Sequence, residues 1–272
     1  MAENILSSGL EKFNTTCITQ VAATILNLLG VEKNAEMAAP IPEVLDVAGG
    51  FSSCDRVFMY NPDAISQWIF NKYKKFSEAA KSESSLALEM LSVVPPVTPV
   101  CFASMYSGLK PEKHGIQSYV KPILKCQTIF DKLPESNKKL AIVSTKGDSI
   151  SLIFLNRKVD YFIYKSVKEC NEKAKQLIKE DKYDVIILYN KNYDYWMHRS
   201  SPEGFPALYA LKHNFKTYLE LNDLLKKEWA GKHKTALAFA PDHGCHRFFG
   251  VLGTHGIEKP CDMNIVHLWN LI

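Results

Sequence analysis

Along most of the chain, short apolar runs alternate with longer stretches in which apolar positions recur every three or four residues. The runs Arg56–Asn61, Lys139–Ser144, Asp160–Tyr164, Asp184–Tyr189, Thr235–Ala240 and Asn264–Trp269 have the length and apolar character of strands. Helical spacing covers about 64–80, 99–108, 167–180 and 205–228. Strands alternating with helices of this length predict right-handed crossovers and an α/β fold: a mostly parallel central sheet with helices on both faces. Residues 1–50 read differently, as a helical segment with an apolar stripe through Ile18, Val21, Ile25 and Leu28 that ends at Gly49-Gly50. The expected organisation is therefore an N-terminal helical segment, 1–50, packed on a single α/β catalytic domain, 51–272.

Composition narrows the partners. The 272 residues are 46% hydrophobic and 23% charged, with a net charge of +4, as in a soluble globular protein. Lysines come as pairs (Lys74-Lys75, Lys138-Lys139, Lys226-Lys227) and not as a long basic run, so a nucleic-acid polymer is not expected as partner. No stretch is long and apolar enough to span a membrane, and the N-terminus shows no basic-then-apolar signal pattern. Seven cysteines without a Cys-x-x-Cys pair predict free thiols in a reducing compartment, hence a cytoplasmic protein. Oligomeric state is not legible.

Three aspartates fall just beyond three predicted strands: Asp63, Asp194 and Asp242. In a parallel sheet the C-terminal strand ends share one edge, where ligand sites form, so carboxylates far apart in sequence can converge there. A strand-end aspartate can equally serve as a helix N-cap, and Asp63 is the best placed for that. The histidines sharpen the pattern. Asp194 and His198 are four residues apart, Asp242 and His243 are adjacent, and His255 stands in Gly253-Thr254-His255-Gly256. Aspartate oxygens and imidazole nitrogens are ordinary zinc ligands. Thr98 precedes Pro99 and an apolar helical run, a natural N-cap at a helix start whose free amides and dipole suit an anionic phosphoryl group. A zinc site built on Cys245, His246 and Cys261 would lack the paired spacing usual in structural sites.

In this order, Asp63, Thr98, Asp194-x-x-x-His198, Asp242-His243-Gly244 and Gly-Thr-His255-Gly resemble the alkaline phosphatase superfamily, and in particular its nucleotide pyrophosphatase/phosphodiesterase branch. The most specific piece is Thr98 ahead of Ser107-Gly108-Leu109-Lys110-Pro111-Glu112-Lys113-His114-Gly115-Ile116, similar to that branch's Thr-Gly-x-x-Pro-x-x-His-Gly-Ile. The resemblance spans about residue 56 to the C-terminus. It implies an alkaline-phosphatase-like fold and two divalent metal ions, Zn2+ or alternatively Mn2+. One ion would be held by Asp194, His198 and His255, and the other by Asp63, Asp242 and His243. Thr98 would be the catalytic nucleophile between them, attacking in line to give a covalent phospho-threonine that water hydrolyses. His114 would be structural. The sequence departs from the branch at Cys101, where those relatives carry an asparagine that helps hold a phosphate oxygen, and at Pro62-Asp63-Ala64, where Asp-Gly is usual.

Two divalent ions and three carboxylates leave such a site with an excess of about one positive charge, enough to draw in a phosphoryl anion without a basic surface. Cys101, Tyr195 and Arg199 are candidate substrate-binding residues; Arg199 and Arg247 could supply a cation to the substrate but read more readily as exposed solubilising side chains. The expected activity is phosphodiesterase-like hydrolysis of a small phosphorylated or phosphonate substrate. The alternatives are a phosphonate hydrolase, a phosphomonoesterase or phosphosugar mutase on the same site, or a non-catalytic metal- or nucleotide-binding relative.

Overall fold

A computed structural model describes residues 12–272, so the first eleven residues of the expected N-terminal segment lie outside the described chain. The described chain opens with β1 (Thr16–Cys17), α1 (Gln20–Leu28) and α2 (Pro42–Ala48). The alternation then runs through β2 (Arg56–Pro62), α3 (Gln67–Lys72), α4 (Lys74–Ser82), β3 (Leu86–Leu91), α5 (Thr98–Ser107), α6 (Pro111–His114) and α7 (Ile129–Glu135). It continues through β4 (Leu140–Thr145), α8 (Ser149–Ile153), β5 (Asp160–Tyr164), α9 (Val167–Glu180), β6 (Val185–Asn190), α10 (Asn192–Ser200), α11 (Phe205–Trp229) and β7 (Thr235–Phe239). A hairpin, β8 (His246–Phe248) with β9 (Leu252–Thr254), and the single turn α12 (Pro260–Met263) precede the last strand, β10 (Asn264–Leu271).

Eight strands form one sheet in the order β1-β3-β10-β7-β2-β6-β4-β5, with only β10 running against its neighbours. The expected mostly parallel sheet with helices on both faces is what the chain forms. Each strand divides its residues between two cores by the pleat. Val57 and Met59 of β2, Val185 and Ile187 of β6 and Ala236 and Ala238 of β7 join one apolar cluster. Phe58 and Tyr60, Ile186 and Leu188, and Leu237 and Phe239 join the other. The first cluster is roofed by α1, α2, α5, α7 and α8, and the second by α3, α4, α9 and α11. Burial on both sides is why these strands read as continuous apolar runs and not as an alternation.

All six predicted strands are present, within two residues at each end. The sequence pattern missed β3, whose Leu-Ala-Leu-Glu-Met-Leu is made of good helix formers; pairing with β10 over six residues overrides that propensity. Within the segment expected to be helical, Thr16–Cys17 pairs in parallel with β3 and so extends the central sheet. The stripe residues Ile18, Val21, Ile25 and Leu28 are fully buried.

Because β3, β7, β2, β6 and β4 all point the same way, their C-terminal ends line one edge. Asp63 follows β2, Thr98 begins the helix after β3, Asp194 lies in the helix after β6, and Asp242 follows β7.

Candidate active site

Asp63 ends β2 with its amide still bonded to Asn190 O at 3.0 Å, one step beyond the β2–β6 ladder. It therefore caps no helix with its side chain, which turns to the edge. Asp242 Oδ1 accepts the amide of Ala64 at 3.3 Å, tying the β7 and β2 ends together. His243 Nε2 lies 3.4 Å from Asp63 Oδ1 and 3.5 Å from Asp242 Oδ2. Thr98 Oγ1 is 3.4 Å from Asp63 Oδ2 and 3.3 Å from His243 Nε2. All four residues are buried.

A second group stands beside the first. Asp194 sits in the first turn of α10, one turn before His198, so both side chains share a face. His198 Nε2 is 3.1 Å and His255 Nε2 3.4 Å from the same Asp194 Oδ1. The rings of His243 and His255 are 4.1 Å apart, which brings the two groups into contact. All six predicted ligands thus fall into the two predicted trios, with Thr98 against the inner one.

The polar bookkeeping fits metal ions. In all three histidines Nδ1 faces a backbone carbonyl: His243 the Gly244 O at 2.9 Å, His198 the Gly253 O at 3.0 Å and His255 the Pro96 O at 3.0 Å. A carbonyl only accepts, so each Nδ1 carries the proton and each Nε2 is the nitrogen turned to the carboxylates. One oxygen of each aspartate (Asp63 Oδ1, Asp194 Oδ1 and Asp242 Oδ2) is buried without a hydrogen bond. Orphaned buried carboxylate oxygens are costly unless something positive sits against them.

Without a cation, protons take up part of that role. Burial, with the Asp194 charge behind it, raises the Asp63 carboxyl to about 7, and burial with the Asp63 charge raises Asp242 well above its usual range. Burial would raise Asp194 too, but the adjoining His198 and His255 imidazoles outweigh it and hold its carboxyl below the usual range. His198 is raised by its contact with Asp194; His255, which burial alone would lower, is raised by the same carboxylate. Burial and the His255 charge keep His243 neutral, its pKa well below the ordinary value.

Other predicted features sit differently. Thr98 is the first residue of α5 with Val97 at the cap position, and its hydroxyl caps nothing. The amides of Val100 and Cys101 both turn inward to Val97 O at 3.0 Å, and Pro99 has none, so this helix start offers an anion fewer donors than expected. Cys101 is fully buried with its thiol 3.2 Å from Ser92 Oγ, closed off from substrate; burial, with the Asp242 charge, raises its pKa well above normal. The Arg199 guanidinium stacks 3.7 Å over the Tyr195 ring and bonds the Tyr195 carbonyl, and Arg247 pairs with Glu203. His114 receives the Ile116 amide on Nδ1 at 3.2 Å and bonds Ser104 Oγ through Nε2 at 2.9 Å, a structural role. His246 pairs with Asp262 Oδ1 at 2.8 Å while Asp262 Oδ2 takes the Ile257 amide, so the His246–Cys261–Asp262 cluster has no orphaned oxygen of the kind seen in the two trios.

Sequence reasoning missed three neighbours of the site. Tyr189 donates its hydroxyl to Asp63 Oδ2. Asp148, beyond β4, pairs with Lys191 at 2.7 Å; only its place after a strand could have flagged it. The exposed Tyr119 phenol is raised by partial burial and then by the charges of Asp63, Asp194, Asp148 and Asp242.

Comparison with known proteins gives a family likeness for part of the chain and a likeness of fold for most of it. A family profile described as Type I phosphodiesterase / nucleotide pyrophosphatase matches residues 60–140, which include Asp63 and Thr98. Over that stretch, less than a third of its length, the chain is similar to this family. Among solved structures it is similar to murine ectonucleotide pyrophosphatase / phosphodiesterase 5, in an inactive threonine-to-alanine form in complex with AMP, at TM-score 0.58 and 13% identity. A second structure of the same murine protein gives TM-score 0.56 and 14% identity. Each match covers 71% of this chain and 58% of the murine one. At this identity the likeness establishes the phosphodiesterase-like fold. No curated protein matches the sequence.

Proposed function

We propose that the chain is a two-metal hydrolase of phosphate esters, phosphodiesterase/nucleotide pyrophosphatase-like, with Thr98 as nucleophile. The observation that carries this reading is the Thr98 hydroxyl set against Asp63 and His243, in a site where three aspartate oxygens are buried unpartnered and three imidazoles turn Nε2 inward. Asp63, Asp242 and His243 would hold one cation and Asp194, His198 and His255 the other, with Zn2+ the best match to the donor set. Bound there, the cations would supply Lewis-acid stabilisation of charge on the entering and leaving oxygens.

The protein's own groups account for the rest. Thr98 Oγ1 forms the bond to phosphorus while the bond to the leaving oxygen breaks, and the proton that Oγ1 loses is made up, through solvent, on the departing alcohol. Water then attacks the phospho-threonine, restoring the hydroxyl and releasing the phosphorylated product. The buried start of α5 positions Oγ1, and the outer trio, less buried than the inner one, leaves an approach for substrate. The murine structure with AMP favours a nucleotide-like substrate over a phosphonate.

The test is a panel of nitrophenyl phosphate, bis-nitrophenyl phosphate, nitrophenyl phenylphosphonate and phosphonoacetate, run with zinc-loaded protein. The diester is expected to be the best substrate, and Thr98→Ala to lower its kcat/KM by at least about a thousandfold, with the metal retained. Full turnover by Thr98→Ala would remove the threonine from the mechanism.

A further inference from the structure

Tyr189 lies on the last full turn of the β6 pleat, paired with Asn61 of β2. Its ring is buried and packs edge-on against Phe102 at 5.3 Å between centroids. Phe102 is one helical turn along α5 from Thr98, so the helix that presents the hydroxyl also grips this phenol. The Tyr189 hydroxyl donates to Asp63 Oδ2, the oxygen that the Thr98 hydroxyl also approaches, at 3.4 Å. Asp63 Oδ1, left without a hydrogen bond, faces His243 Nε2 at 3.4 Å.

We infer that Tyr189 is a positioning residue: its phenol fixes the rotation of the Asp63 carboxylate so that Oδ1 faces the inner cation site, whatever the state of Thr98. The inference rests on the two-metal reading above. Two donors serve Asp63 Oδ2, and one of them is lost whenever Thr98 is deprotonated or carries a phosphoryl group. Tyr189 remains. A phenol stays protonated across the working pH range, so it is a permanent donor. It lies behind the carboxylate within the β-sheet edge and touches Asp63 itself, not the reacting atoms, and groups of this kind orient metal ligands.

Tyr189→Phe removes the hydroxyl and keeps the ring that packs on Phe102. Zinc titration of metal-free protein against a chelating indicator, with no substrate present, is the primary measurement. Wild type is expected to bind two equivalents. In Tyr189→Phe one equivalent should weaken by roughly 10- to 100-fold while the other is unchanged, and kcat should fall by a comparable factor with little change in KM. In an Asp63→Asn background the same substitution should cost nothing further, because the ligand it positions is gone; a merely structural tyrosine would cost the same in both backgrounds. Two unchanged equivalents in Tyr189→Phe, or an equal loss in the Asp63→Asn background, overturn this inference alone. A wild type that takes up no zinc overturns the two-metal reading together with it.

Discussion

At the scale of single residues, burial sets the protonation states outside the site as well as within it. His267 lies in β10, fully buried; Nε2–H donates to Pro241 O at 2.8 Å and Nδ1 has no partner. Protonating Nδ1 would leave a buried charged N–H without an acceptor, and burial lowers the pKa to about 4. The unfolded chain titrates near 6.5. Between those values the unfolded state holds more protons, so the stability that the neutral imidazole contributes is complete above pH 6.5 and is lost as the pH falls towards 4. Asp63 and Asp242, raised in the fold, act with the opposite sign, so the effect is read as a difference. The urea-unfolding free energy of wild type minus that of His267→Gln should narrow by about 2 kcal/mol between pH 7 and pH 4.5. A difference that stays constant with pH would contradict the buried neutral histidine. His114, also lowered by burial to about 4, should behave in the same direction.

At the scale of elements, the decisive contact is between the β8–β9 hairpin and α10. Gly253 is at β9, and a Cβ there would come within 2.2 Å of Met197 Sδ and 2.8 Å of Pro202 Cδ. Only a residue without a side chain lets the hairpin approach closely enough for Gly253 O to hold His198 Nδ1. Gly253→Ala should therefore push β9 off α10. The expected result is weaker zinc binding by roughly tenfold or more, with far-ultraviolet circular dichroism unchanged; unaltered zinc affinity would show that the carbonyl is not the anchor. The sequence does not show this role of Gly253, since a close approach between segments fifty residues apart leaves no local mark. Elements with their own signature were legible: six strands, the long helices, and the strand-end aspartates. β3 and α10 were not. The first is spelled in helix formers, and the second is a nine-residue helix rich in aromatic and polar residues directly after a strand. Gly108 illustrates a motif explained only by the fold. It closes α5 in the left-handed conformation, φ 72°, where a Cβ would lie 3.0 Å from Met37.

At the scale of the whole molecule, the sheet works as a frame that brings residues 63, 98, 194, 198, 242, 243 and 255 to one edge. That the residues of the two trios and Thr98 would share one edge was readable from type and order along the chain; Tyr189, Asp148 and Tyr119 were not, because a tyrosine or one more strand-end aspartate is unremarkable until its partner is seen. Within the described residues no helix is long and apolar enough to cross a membrane. The protons that Asp63, Asp242, His198 and His255 retain in the metal-free site must leave when cations arrive. Zinc binding at pH 6 should thus release protons, seen as a heat that varies with the ionisation enthalpy of the buffer, and release less at pH 8. Stripping the metal should lower the melting temperature, by linkage. A heat of binding independent of buffer would show that the ligands were already deprotonated.

The three carbonyls that steer His198, His243 and His255 have a consequence for how such a centre persists. Peptide oxygens are supplied by every amino acid alike. The instructions that aim these imidazoles are therefore written in the path of the chain and not in the identity of its neighbours. A side chain beside one of these carbonyls can change without moving the oxygen, whereas a shift of the trace at Pro96, Gly244 or Gly253 would turn the ring it holds.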